Sequence, residues 1–298
     1  MSAVVCRLTI AVSSVVVLIS GFGGSRPENR PIAAALASGG IVLMGVDGST
    51  QVRVPGTDGG WAPAWSPDGK WLAFTKARDV TIDTAEAIVS DLYVIRPDGT
   101  GRRLVARKAD SPAWSPDGQR LAFRRDHCFP RECPEVPNTM ELFMIGVESG
   151  DLQRLTFNGV YDGEPSWSPD GRRIVYATDD GLFLMNADGT KKRRLTRGYL
   201  LNPAWSPDGR RIAFDTVRNV FVLDLMTGRA TKLTPRAGNH LAPVWSPDGR
   251  RIAFLATEAC GTGCAAHEPL RVWVMNADGS GRKPITRRGY VAVDWSRA

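Results

Sequence analysis

Five copies of one seven-residue phrase constrain this chain more than any other feature. Pro-Ala-Trp-Ser-Pro-Asp-Gly stands at 63–69, 112–118 and 203–209, and close copies stand at 165–171 (Pro-Ser-Trp) and 243–249 (Pro-Val-Trp). The repeated tryptophans are Trp65, Trp114, Trp167, Trp205, Trp245 and Trp295, separated by 49, 53, 38, 40 and 50 residues. The base unit is therefore 38–40 residues, and three units carry insertions. Within the phrase, Pro presets φ for a turn, Asp accepts hydrogen bonds from nearby amides, and Gly takes φ > 0. Asp68, Asp117, Asp170, Asp208 and Asp248 are accordingly read as copies of a turn residue, not as a catalytic carboxylate array. The Trp is large enough to wedge between neighbouring units, burying on the order of 200 Å².

Each unit holds four short runs: the Trp run, then one such as RRIAFDT (210–216), then one such as LFLMNADG (182–189), then one such as RRLT (193–196). Runs this short, rich in Val, Ile, Phe, Tyr and Trp and bounded by Gly, Pro or Asp, are antiparallel strands. Four strands per unit of this length, repeated radially, form an all-β propeller. Six Trp runs give six blades. The run IVLMGVDG (41–48) precedes the first Trp unit, and PIAAALASG (31–39) matches a second strand. The chain thus enters in mid-blade. The expected fold is a six-bladed propeller with four antiparallel strands per blade, one blade being assembled from three N-terminal strands and a C-terminal strand near 291–296. Closure of this kind leaves no frayed blade edge.

The segments PAWSPDGRRIAF (203–214) and VWVMNADGSGRKPIT (272–286) resemble the WD-like β-propeller repeat of TolB-type proteins. The resemblance covers about residues 30–298. It implies a propeller of this class in the cell envelope. The separate N-terminal α/β domain of TolB is not expected here, because the propeller starts near residue 30. The hydrolase domain that accompanies such repeats in prolyl-oligopeptidase-type enzymes would need a G-x-S-x-G nucleophile elbow, and the chain has none.

Residues 1–24 read as a signal peptide or N-terminal anchor, and 25–298 as the propeller. Arg7 precedes the apolar run 8–20, which is too short to span a bilayer comfortably. The expected location is outside the cytoplasm: extracellular, periplasmic or in the envelope. Membrane attachment by an uncleaved N-terminus is the alternative. Apart from Cys6 the cysteines are Cys128, Cys133, Cys260 and Cys264. Two sequence-local disulfides are the economical arrangement in an oxidising compartment, and one zinc site made of all four competes with it. The formal charge of +7 comes mostly from Arg in short turns, including Arg172 with Arg173, Arg210 with Arg211 and Arg250 with Arg251. These are read as a solvated surface; no nucleic-acid module occurs, and no nucleic-acid partner or cofactor is expected.

Turns between strands one and two and between three and four fall on one face, short and uniform. Links between strands two and three (76–91, 125–140 and 256–270) and between blades fall on the other, with both cysteine pairs and His127, His240 and His267. Irregular loops on a rigid scaffold make this the binding face. The expected ligand-contacting residues are Trp61, Asp110, Tyr161, Asp162, Glu164, Tyr199, Asn202, Asn239, His240 and Tyr290. Mixed aromatic and polar groups suit a protein or peptide partner. The expectation is a monomeric, non-catalytic scaffold with no metal. The alternative is a glycan- or lactone-acting enzyme, metal-assisted, at the pore mouth.

Overall fold

The hydrogen bonds of the repeated phrase explain why the chain turns there. In the first copy the Ser66 hydroxyl donates to Asp68 Oδ1 (2.6 Å), Lys70 N donates to the same oxygen (3.1 Å), and Trp71 N donates to Ser66 Oγ (2.9 Å). Gly69 takes φ +68°, and its N–H closes the turn on Ser66 O at 2.9 Å. The same set recurs at Asp117, Asp170, Asp208 and Asp248. Burial raises the Asp68 carboxyl, but Ser66 and the Lys70 amide outweigh it and hold the group below its ordinary value. These aspartates build turns.

The computed structural model describes residues 30–82, 85–126, 140–235, 238–257, 270–287 and 289–296. They form six four-stranded antiparallel sheets, the blades of a propeller, with no helix among the described residues. The inner strands are Tyr290–Trp295 for blade 1, then Gly60–Trp65, Ala109–Trp114, Asp162–Trp167, Leu201–Trp205 and His240–Trp245 for blades 2 to 6. The second strands are Ile32–Leu36, Leu72–Ile82, Arg120–Asp126, Arg173–Thr178, Arg211–Asp215 and Arg251–Ala256. The third strands are Ile41–Met44, Ala85–Ile95, Met140–Gly146, Gly181–Asn186, Val220–Asp224 and Arg271–Asn276. Short outer strands complete the blades: Val52–Arg53, Arg103–Ala106, Leu152–Arg154, Arg193–Arg194, Ala230–Lys232 and Lys283–Pro284. Blade 1 joins the two ends of the sequence, with Ile32 opposite Trp295 and Ala35 opposite Ala292.

The ring tryptophans sit between blades and are almost wholly buried. The indole Nε1 of Trp114 donates to Ala64 O (3.0 Å), that of Trp167 to Ala113 O (3.1 Å) and that of Trp245 to Ala204 O (3.1 Å), so each ties its blade to the one before. Where the residue before the preceding Trp is polar, the bond changes. Ser166 Oγ accepts from Trp205 N (3.3 Å) and Asp294 Oδ2 from Trp65 N (3.3 Å), and the indole N–H groups of Trp205 and Trp65 are then left without a partner.

Two expectations change here. Of the turn arginines, Arg172, Arg210 and Arg250 are exposed as expected, but Arg173 lies over the Trp205 ring (5.2 Å), Arg211 over Trp245 (4.6 Å) and Arg251 over Trp295 (5.3 Å), each reaching the next blade. Arg120 does the same to Trp167 at 5.0 Å. A guanidinium stacked on an indole covers apolar surface and gains cation–π attraction. The link 76–91, expected as an irregular loop, is a hairpin instead. Strands two and three of blade 2 stay in register from Leu72 opposite Ile95 out to Ile82 opposite Ala85. The paired inner strand ends at Gly60 opposite Lys76, so the ribbon projects beyond the ring on the link face.

Candidate functional site

Five inner strands carry a break just before their proline. Ala62 (φ 41°), Ser111 (52°), Glu164 (50°), Asn202 (50°) and Ala242 (49°) all take left-handed backbone, and the strand register shifts at each. A non-glycine residue held there costs about 1–3 kcal/mol. This β-bulge also resolves an apparent conflict, because a proline inside a strand is tolerated at a bulge. The inner strands consequently begin earlier than the proline implies. Trp61, Asp110, Asp162, Glu164, Asn202, His240 and Tyr290, expected in loops, lie within them, while Tyr161, Tyr199 and Asn239 stay in links.

The bulges turn backbone amides toward carboxylates. Ser111 N donates to Asp110 Oδ1 (2.7 Å), Asn202 N to Glu164 Oε2 (3.2 Å) and Ala242 N to Asp215 Oδ2 (2.8 Å). Arg124 joins the first two carboxylates. Its Nη2 donates to Asp110 Oδ2 (2.8 Å), and its Nη1 donates to Tyr161 Oη (2.6 Å) and lies 3.6 Å from Glu164 Oε1. Tyr161 Oη donates in turn to Glu164 Oε1 at 2.9 Å. Asn202 Nδ2 continues the chain to Asp215 Oδ2 at 2.8 Å. One polar network therefore crosses blades 3, 4 and 5 and reaches the inner strand of blade 6.

The electrostatics follow from burial. Arg124 is 8% exposed; desolvation opposes its charge, but Asp110 and Glu164 more than compensate and raise its pKa. Burial, then Glu164, pushes the Tyr161 hydroxyl well above its usual value. Asp215 is pushed up to about 7 by burial, against the pull of Val217 N, Asn202 and Ala242 N, with Glu164 adding to the rise. An unfolded Asp titrates near 3.9, so between about pH 4 and pH 7 the folded state binds the extra proton. Stability is therefore expected to fall as pH rises across that window and to level off above it. Denaturant midpoints from pH 4 to 8 check this. Asp215→Asn should remove this one contribution, so the stability of the variant relative to the parent should rise with pH across the window, whatever the change costs in absolute stability.

Ten expected contact residues distribute unevenly. Asp110, Tyr161, Glu164 and Asn202 belong to the network. Tyr199 is 61% exposed and Asn239 is exposed, its N donating to Thr257 Oγ1 at 3.1 Å. Three are packed between blades: Asp162, His240, whose Nδ1 is 2.9 Å from Arg218 O, and Tyr290, whose hydroxyl donates to Gln51 Oε1 at 3.1 Å. Burial lowers the His240 pKa. Trp61 is half-buried, and its carbonyl accepts from Thr75 Oγ1 at 3.4 Å. Arg124 and Asp215 were not among the expected residues. Both occupy the position after the Ala-Phe of a second strand, where blade 6 has Leu255 and blade 4 has Ala177, and that polar letter was the available signal. Cys128, Cys133, Cys260, Cys264, His127 and His267 fall outside the described residues, as does the segment 1–24.

Inner-strand residues of all six blades line a central channel of about 110 Å³, among them Ser111, Glu164, Asn202 and Asp294. Large apolar groups stand exposed on the link face: Phe157 (70%), Val160 (48%), Tyr199 and Val217 on blades 3 to 5, and Ile88 on the projecting hairpin. No helix among the described residues is long and apolar enough to cross a membrane.

A family model described as the TolB beta propeller domain matches residues 40–198. Among solved structures, TolB from Acinetobacter baumannii is similar with TM-score 0.70 at 19% identity, over 91% of this chain and 67% of that one. A nidogen/laminin complex gives TM-score 0.67 at 10% identity, over 89% and 97%. An oligogalacturonate lyase from Vibrio parahaemolyticus gives 0.52 at 12% identity, over 87% and 79%. At these identities the likeness is one of fold. No curated protein matches.

Proposed function

The chain belongs to the TolB beta propeller family, and on that premise we propose that it is an exported, non-catalytic scaffold that binds a protein or peptide partner across its link face and channel mouth. The observation that carries this reading is the contrast between the two faces. One is tiled by repeated turns whose polar groups are satisfied internally. The other presents Phe157, Val160, Tyr199 and Val217 beside an ordered polar network at a channel mouth. Exposed aromatic and aliphatic anchors around buried polar groups are what protein interfaces use. The apolar segment 8–20 and the likeness to TolB support export. The similarity to a nidogen/laminin complex supports a macromolecular partner.

The test is retention of a partner from envelope and secreted fractions by the full chain, followed by affinity measurement with variants. Phe157→Ala with Tyr199→Ala is expected to weaken binding about tenfold or more, as loss of interface anchors does. Met226→Ala removes a residue 91% exposed on the opposite, turn-bearing face and should change nothing. Equal loss from both variants, or turnover of an oligogalacturonate or lactone substrate, would overturn the reading.

A further inference from the structure

The junction between blades 3 and 4 places two carboxylates where the junction between blades 2 and 3 has one. Two repeat positions meet at each junction: the start of a third strand and the residue five before the next ring Trp. By repeat position the pairs are Asp91 with Ala109, Glu141 with Asp162, Gly181 with Leu200 and Asn219 with His240. Where Asp91 stands, Arg78 Nε (2.5 Å) and Lys108 N (2.9 Å) donate to it, and its repeat partner is the neutral Ala109. At the next junction two carboxylates replace one.

Glu141 is well held at one oxygen. Its Oε1 accepts from Asn158 N (3.0 Å) and Gly159 N (2.9 Å), and Arg154 Nη2 lies 3.0 Å away. Its Oε2 has no partner at full hydrogen-bond geometry, and neither oxygen of Asp162 has one, the Thr156 and Asn158 side chains standing near Asp162 as weak donors; both residues are 0% exposed. The Thr156 hydroxyl stands beside both carboxylates and favours the charged form of each. Its oxygen already accepts from Leu142 N at 2.9 Å, and it carries a single proton, so it can donate to one carboxylate oxygen at most. Arg154 brings one positive charge against two negative ones. With Thr156 serving at most one of the three oxygens, at least two buried acceptors and an excess negative charge are left over, and burial pushes Asp162 up to about 6; buried groups meet such a cost by taking up a proton, by pairing or by binding a metal ion.

We propose that the junction of blades 3 and 4 binds one hard divalent cation, calcium in character, between Asp162 and Glu141 Oε2. The donors are carboxylates, with the Thr156 hydroxyl beside them and no sulfur or imidazole, which suits calcium and not zinc. With only two carboxylates, water and neutral oxygens complete the shell, and calcium accepts such irregular sets. The site is distinct from the central channel, whose lining includes neither residue. A cation there joins the inner strand of blade 4 to the third strand of blade 3. It also anchors the link bearing Phe157 and Val160.

Chelator-treated full chain, titrated with terbium, tests this. Tyr176, whose hydroxyl is raised first by burial and then by both carboxylates, stands near enough to them to sensitise terbium emission. The expected result is emission that saturates at one ion per chain and is displaced by calcium, with Tm raised by calcium. Asp162→Asn and, separately, Glu141→Gln should each weaken terbium binding by more than about tenfold. Unsaturable or absent emission in the parent protein overturns the proposal, as does unchanged affinity in either folded variant. Should both variants fail to fold, the stoichiometry and calcium-dependent Tm of the parent protein decide.

Discussion

Trp295→Ala is expected to cost about 4 kcal/mol, or about 10 °C in Tm for a chain of this size. Its indole is 1% exposed, donates to Arg30 O at 2.9 Å and carries Arg251 over its face. The other inner strands follow their neighbours closely in sequence, but Tyr290–Trp295 pairs with Ile32–Leu36 from the far end of the chain. Closing so long a loop is entropically costly, and the contacts of this one strand offset it. The loss should therefore be localised. Hydrogen exchange should show amides of 32–44 losing protection in Trp295→Ala well before those of blades 3 to 5. Trp114→Ala, which also removes a ring indole, should leave 32–44 protected relative to the rest. Uniform loss of protection in both variants would mean that the closing blade is not the seam of the ring.

How much of this was legible follows from the sequence distance over which each interaction acts. The turns were readable because Ser66, Asp68, Gly69 and Trp71 bond within five residues of one another. The blade number and closing blade were readable because a repeated letter string carries its own phase. The bulges were not, because Pro63 and its counterparts read as strand boundaries, and only the register with the second strand shows the chain continuing past them. Arg124 was hidden for a different reason. Its partners Asp110 and Tyr161 lie 14 and 37 residues away, one on its own blade and the other on the link to the next. The stacking of Arg173, Arg211 and Arg251 is hidden likewise, since Arg173 meets Trp205 only across a blade boundary. In the hairpin of blade 2, the broken alternation and polar residues of 76–91 look like a loop until strand pairing is seen.

Arg124→Ala is expected to destabilise the chain by about 3–5 kcal/mol, the loss typical when one partner of a buried ion pair is removed. The reason is what remains. Asp110 and Glu164, 21% and 14% exposed at their side chains, keep their charges and lose the cation between them. Tyr161 loses one of its two hydrogen-bond partners and keeps Glu164. A double-mutant cycle separates this from lost packing. Asp110→Asn added to Arg124→Ala should recover part of the stability, giving a coupling of about 1–3 kcal/mol, because the second change removes the charge that the first left unpaired. Exposed Arg–Glu pairs such as Arg103 with Glu148 provide the control, and breaking that one should cost under about 1 kcal/mol. If the two substitutions add without coupling, the network at the channel mouth is held by shape alone and its charges are incidental.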